Sequence, residues 1–102
     1  MVYYKIGGGY SVFCNPPYSD ITRWCEKVYI ESQKPNTTIV LLIPSRTDTK
    51  YFHKYICNKA ELKFIKGRVK FSNSKYNAPF PSLIAIYKYG NNTNKYEGIE
   101  QI

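Results

Sequence analysis

Apolar and polar positions along this chain follow two periods, and each period predicts a different element. Apolar residues spaced by three and four, from Ile21 to Tyr29, predict a helix over Asp20–Gln33. A second helix, with aromatic residues on one side, is predicted from about Asp48 to Cys57. Continuous or alternating apolar runs predict four strands, at Ser11–Asn15, Thr38–Pro44, Glu61–Ile65 and Ser82–Tyr89.

The order of these elements predicts an α/β fold built on a mixed sheet of about four or five strands with two main helices. A further strand at Val2–Ile6, followed by three glycines, predicts an N-terminal hairpin over residues 2–15. Such a hairpin would cover a sheet edge that is otherwise prone to aggregation. We expect one domain over residues 1–90 and a polar tail over residues 91–102.

Three unusual loops follow the predicted strands. The sequence NPPY (residues 15–18) follows the first, PSRTD (44–48) the second and KGRVKF (66–71) the third. Ligands of open α/β sheets lie beyond the carboxyl ends of the strands. If the third strand is parallel to the other two, all three loops share one edge of the sheet.

The charge of +8 is concentrated in one segment of the chain. Residues 50–75 hold eight basic side chains against one glutamate. This segment suits a polyanion such as DNA, or an acidic protein surface, but a solvated lysine-rich face has the same composition. The three cysteines and one histidine have no zinc-ligand spacing, so no metal site is expected.

Two observations bear on where the protein works. The longest apolar run, Ile39–Ile43, is too short to cross a membrane, so no membrane partner is expected. The N-terminus lacks the pattern of a signal peptide. We therefore expect a cytoplasmic protein, in the host cell cytoplasm if a phage encodes it.

Four segments, taken together, resemble the phage-type DNA N6-adenine methyltransferases, a family of amino-methyltransferases with an NPPY motif. The resemblance covers Val12 to Tyr87, and the segments occur in the family's order: VFCNPPYSD, VLLIPSRTDTKYFH, ELKFIKGRVKF and APFPSLIAIY. It implies a Rossmann-like methyltransferase fold and a DNA substrate. It also implies that Ser82–Tyr89 runs antiparallel between Thr38–Pro44 and Glu61–Ile65.

The resemblance assigns catalytic roles to Asn15, Pro16 and Tyr18. The side-chain oxygen of Asn15 and the backbone carbonyl of Pro16 would hold the two protons of the adenine amine, which restores electron density to its nitrogen. Tyr18 would stack on the base after it leaves the duplex. A capped turn that ends a strand, with an incidental aromatic residue, is the alternative interpretation.

Further residues in the three loops complete the predicted site. The site-lining residues are Pro17, Asp48 and Thr49, and the residues predicted to bind nucleic acid are Arg46, Lys66, Arg68 and Lys70. The alternatives are a helix cap for Asp48, a surface ion pair for Arg46 and solubility for the other basic residues.

The resemblance also implies S-adenosylmethionine as methyl donor, and here the chain departs from the family pattern. The donor-binding half normally precedes the NPPY strand, so we expect this chain to correspond to the carboxyl half and to be inactive alone. It would then be a fragment, or a subunit that needs a donor-binding partner or a homo-oligomer. The alternative is a non-catalytic phage protein that reuses the scaffold to bind a host protein or nucleic acid, for example as an inhibitor of a host defence system.

Overall fold

The structure, a computed structural model, describes residues 2–6, 9–69, 80–89 and 96–99. Its strands are β1 (Val2–Ile6), β2 (Gly9–Cys14), β3 (Thr37–Pro44), β4 (Glu61–Ile65), β5 (Ser82–Lys88) and β6 (Tyr96–Ile99). They form one mixed sheet in the order β1-β2-β3-β5-β4-β6. Together with the helix α1 (Ile21–Ser32), this arrangement confirms the predicted α/β class.

The directions of the strands bring three loops to one edge. Strand β2 is parallel to β3, whereas β5 is antiparallel to both β3 and β4. Strands β2, β3 and β4 therefore run in the same direction. We call the edge where they end, at Cys14, Pro44 and Ile65, the carboxyl edge. The predicted insertion of an antiparallel strand between the second and third parallel strands is confirmed.

The two outer strands agree with the sequence interpretation to different degrees. Strand β1 pairs antiparallel with β2, from Val2 opposite Phe13 to Ile6 opposite Gly9, as the predicted hairpin requires. Strand β6 makes the described sheet six-stranded, where four or five strands were expected, and it lies within the segment interpreted as a tail. It pairs in parallel with β4 and so satisfies backbone groups that would otherwise form an open sheet edge.

The second predicted helix is shorter than expected, and its turns are wider than those of an α-helix. Its main part is a π-helical turn at Phe52–Ile56, in which the Cys57 amide donates to the Phe52 carbonyl at 2.8 Å. The chain then turns extended at Cys57 and adopts a positive φ of 64° at Asn58, which ends the helix. The wider turn buries three of its five side chains, those of Phe52, Tyr55 and Ile56.

The core lies between the sheet and the helical segments. Cys25 and Val28 of α1 are fully buried against inward-facing residues of the central strands, among them Ile39, Leu41 and Tyr87. The Tyr87 hydroxyl donates to the Tyr55 carbonyl at 2.8 Å. This hydrogen bond connects β5 to the π-helical turn. The core therefore holds in place the strands from which the loops of the carboxyl edge extend.

Two features are absent from the described residues. None of their helices has the length and apolar character that a membrane span requires. They contain no group of three or more histidine, cysteine, aspartate or glutamate residues that could hold a metal ion.

Candidate functional site

A pocket opens at the carboxyl edge, beyond the ends of β2 and β3. Its volume is about 190 Å³. Seven residues line it: Tyr18, Ile21, Pro44, Arg46, Thr49, Tyr51 and Phe80. Three of these are aromatic and two are aliphatic or cyclic, so the walls are mainly apolar with a few polar groups, which is typical of small-molecule sites.

The NPPY sequence forms the turn that carries Tyr18 to this pocket. Pro16 is buried and Pro17 is extended, with φ −65° and ψ 139°. The Asp20 amide then donates to the Pro17 carbonyl at 3.2 Å, which closes a 3₁₀ turn over Tyr18–Asp20. The side chain of Tyr18 remains 47% exposed. The prolines thus fix a short turn that ends the strand and presents an aromatic ring at its edge.

The loop after β3 is held by its own backbone and by β5. The Arg46 amide donates to the Pro44 carbonyl at 2.9 Å, and the Ser45 amide donates to the Pro81 carbonyl at 2.8 Å. The Thr49 hydroxyl donates to the Arg46 carbonyl at 2.8 Å and accepts a longer hydrogen bond from the Phe52 amide at 3.4 Å. Thr49 therefore connects this loop to the helical segment that follows it.

Phe80 lies between the two loops and was not predicted as a site residue. Its ring is perpendicular to that of Tyr18, with the ring centroids 4.8 Å apart. The guanidinium carbon of Arg46 lies 5.9 Å from the centroid of Phe80. The sequence signal was the PFP triplet, but only the pairing of β3 with β5 places it beside Arg46.

The predicted site residues fall into three groups. Tyr18, Arg46 and Thr49 line the pocket. Asn15, Pro16, Pro17 and Asp48 lie in the same two loops but outside the described lining. Lys66 and Arg68 are exposed just after the end of β4, on either side of Gly67, whose φ is +79°. Lys70 lies outside the described residues.

Burial decides the protonation of the groups behind the pocket. It raises the pKa of the Tyr51 hydroxyl, an effect opposed by a hydrogen bond with Thr49 and by the charge of Arg46. Tyr51 therefore presents a neutral phenol at neutral pH. Burial, together with the neighbouring Cys14, raises the pKa of Cys25 to about 12. The Cys25 thiol is therefore inert at neutral pH and is not a candidate nucleophile.

Comparison with known families matches residues 4–87 to the model of the DNA N-6-adenine-methyltransferase (Dam) family. The chain belongs to the Dam family. Comparison with curated proteins and with solved structures gave no match. The matched segment contains all seven residues that line the pocket. Membership confirms the predicted relationship to DNA adenine-N6 methyltransferases, while the phage origin stays a prediction.

Proposed function

We propose that this pocket receives a target adenine that has left the DNA stack, and that the chain is the target-base half of a DNA adenine-N6 methyltransferase. The arrangement of Tyr18 and Phe80 carries the proposal: two perpendicular rings 4.8 Å apart beside a pocket of about 190 Å³. Pockets for drug-sized ligands occupy about 300–1,000 Å³. The smaller volume suits a single base, and aromatic side chains provide the surface on which a base stacks.

Asn15 and Pro16 are assigned to the adenine amine. The lone pair of that amine is delocalised into the ring, so the nitrogen is a poor nucleophile. Two acceptors that hold its protons raise the density on nitrogen as the transition state forms. Asn15 is exposed just after the end of β2, three residues before Tyr18, and its side-chain oxygen would accept from the amine of a base stacked on that ring. The buried, conformationally fixed Pro16 would supply the second acceptor, its backbone carbonyl.

The basic residues of the carboxyl edge are assigned to the DNA backbone. Arg46 lies in the pocket wall, and Lys66 and Arg68 are exposed at the end of the neighbouring parallel strand. Lys70 completes the predicted set. Cations on the side of the sheet where the base enters would bind phosphates next to that base, and they would make the affinity dependent on salt.

The methyl donor of the family, S-adenosylmethionine, does not fit this pocket. The donor carries a cationic sulfonium and an ammonium group, and Arg46 could pair only with its carboxylate. The described lining has the cation Arg46 and no carboxylate. A pocket of about 190 Å³ is also too small for a base and a donor together. We infer that the donor binds elsewhere, on a partner chain or on a surface that a second copy completes.

Binding of single-stranded DNA tests the base site. The experiment measures the Kd of an adenine-containing deoxyoligonucleotide for the 102-residue chain, for Tyr18→Ala and for Tyr89→Ala. Tyr89 is a matched control because it is 53% exposed at the opposite edge, where its amide donates to the Thr37 carbonyl. Stacking contributes about 1–3 kcal/mol per base, so Tyr18→Ala should weaken binding roughly 5- to 150-fold. Equal effects of the two substitutions would refute the assignment.

Methyl transfer from a labelled donor to unmethylated DNA tests the assignment of a half-site. The chain alone should give no transfer above a no-protein control, because positioning of the two substrates supplies roughly 7–11 kcal/mol in favourable cases. Turnover that Asn15→Ala abolishes would mean that the chain builds a donor site of its own. A non-catalytic binding protein, the alternative function, predicts no transfer by the chain even when a donor-binding partner is added, and no effect of Asn15→Ala on DNA affinity.

A further inference from the structure

Phe80 contacts both of the groups that the proposed function assigns to different parts of the substrate. Its ring centroid lies 4.8 Å from that of Tyr18, the base-stacking residue. The same ring lies under the guanidinium of Arg46, the residue assigned to phosphate, at 5.9 Å. Base recognition and phosphate recognition therefore meet at one side chain.

We propose that Phe80 is a positioning residue that couples base stacking on Tyr18 to phosphate binding by Arg46. The ligand is a single-stranded or extruded deoxynucleotide, with the base in the pocket and a flanking phosphate on the guanidinium. This inference rests on the proposed function, since it concerns the same pocket. Its consequence is that the two halves of the ligand bind cooperatively, although different residues hold them.

The contact between the two rings limits where the Tyr18 ring can lie. Tyr18 is 47% exposed, so few other contacts restrict its side chain. Perpendicular aromatic pairs are favoured by roughly 2- to 13-fold over the separated rings. A ring already held at the pocket wall loses less conformational freedom when a base stacks on it, which strengthens binding.

The contact between Phe80 and Arg46 likewise limits where the guanidinium can lie. Arg46 is an exposed residue with a long side chain, and ordering such a side chain opposes binding. A guanidinium that stacks on an aromatic face keeps its N–H groups available at its edge, where they match the oxygens of a phosphate. Lysine has the charge without the planar group, so it retains the attraction to phosphate but loses the stacking.

The sheet fixes the relative position of Phe80 and Arg46. Pro44 and Ser82 are the last paired residues of the β3–β5 ladder at this edge. The hydrogen bond from the Ser45 amide to the Pro81 carbonyl, 2.8 Å long, extends the pairing by one step. Arg46 and Phe80 are the next residues outward on the two segments. Their contact therefore follows from the pairing of the strands and does not require a ligand.

Two double-mutant cycles on the full chain test the coupling, with the Kd of an adenine-containing single-stranded deoxyoligonucleotide as the readout. The first combines Arg46→Lys with Phe80→Leu. We expect Arg46→Lys to weaken binding about 2- to 5-fold in the wild-type background, because lysine keeps the charge but loses the planar, bidentate guanidinium, and less than 2-fold beside Phe80→Leu. Phe80→Tyr, which retains the ring, should bind within about 2-fold of wild type.

The second cycle combines Tyr18→Ala with Arg46→Lys and leaves Phe80 in place, so it stands even if Phe80→Leu does not fold. We expect the two substitutions to be non-additive by at least about 2-fold. Additive effects in this cycle would overturn the inference. If Tyr18→Ala alone leaves Kd unchanged, the base site itself is wrong; if Tyr18→Ala weakens binding and the cycle is additive, only the coupling is wrong.

Discussion

Tyr87 and Tyr18 show how differently the core and the carboxyl edge use the same side chain. Tyr87 is 1% exposed, and its hydroxyl donates to the Tyr55 carbonyl, while burial raises its pKa. Tyr18 is 47% exposed and contacts Phe80 beside an open pocket. Among the described residues, no buried side-chain nitrogen or oxygen lacks a hydrogen-bond partner. The core is thus internally satisfied, whereas the edge exposes aromatic and basic side chains beside a pocket.

The largest effect should follow a cavity in the core. Leu41 is fully buried in the central strand β3, and Leu41→Ala should lower the free energy of unfolding by about 2–5 kcal/mol. Urea denaturation measures this loss. Because Leu41 is not among the residues that line the pocket, the folded fraction should bind single-stranded DNA within about 2-fold of wild type. A larger change in Kd would mean that the two regions are not separable.

Removing the hydroxyl of Tyr87 in one variant and that of Tyr18 in another compares the core and the carboxyl edge directly. Tyr87→Phe leaves the buried Tyr55 carbonyl without its donor, so we expect the free energy of unfolding to fall by about 1–3 kcal/mol. Tyr18→Phe, at the exposed position, should change it by less than about 0.5 kcal/mol and keep the stacking surface. Equal losses in urea denaturation of the two variants would contradict the contrast between core and edge.

Alkaline pH should lower the stability of the protein through the buried thiol of Cys25. Because the pKa of Cys25 is raised by burial from 9.0 to about 12, its contribution to stability is complete below pH 9. Between these values the unfolded chain loses the thiol proton and the folded chain keeps it. The free energy of unfolding should therefore fall by about 1.4 kcal/mol per pH unit from this group.

The variant Cys25→Ala isolates that contribution. Its stability curve should be shallower than that of wild type above pH 9 and parallel to it between pH 6 and 8. Urea denaturation over this pH range measures both slopes, and identical slopes above pH 9 would show that Cys25 does not titrate differently in the two states.

Charge reversal at the carboxyl edge should have the smallest effect on stability of these changes, and its effect is expected in DNA binding. Lys66→Glu with Arg68→Glu should reduce the salt dependence of single-stranded DNA binding by about 0.7 per lost phosphate contact. Lys34→Glu with Lys88→Glu is the matched control: it changes the net charge equally, but these residues lie near the start of β3, with Lys88 opposite Thr38. Equal loss of affinity in both pairs would indicate a general charge effect.

The central elements were predictable because their patterns are local. The apolar run TIVLLIP and the helical spacing after Asp20 need only neighbouring residues, and both elements lie within a residue or two of their predicted bounds. The position of β5 came from the family resemblance and agrees with the strand pairing. The NPPY turn was recognisable because consecutive prolines end a strand for steric reasons.

The remaining features depend on contacts between distant segments. Strand β6 lies in a polar segment and pairs with β4 through backbone hydrogen bonds. Such pairing requires no apolar pattern in the sequence. Phe80 joins the pocket only because β5 pairs with β3, and its ring contact with Tyr18 spans more than half of the chain. The π-helical turn buries Phe52, Tyr55 and Ile56, and helical periodicity alone does not specify its wider hydrogen bonding.

Photo-cross-linking tests the central claim most directly, because it locates the base on the protein. The probe is a single-stranded deoxyoligonucleotide with one 8-azidoadenine, irradiated with the full chain and analysed by mass spectrometry of the peptides. We predict adducts on Tyr18 or Phe80, which line the pocket, and competition by the unmodified oligonucleotide. Adducts confined to exposed aromatic residues outside the pocket, Phe13 or Tyr89, would contradict the assignment of this pocket to the target adenine.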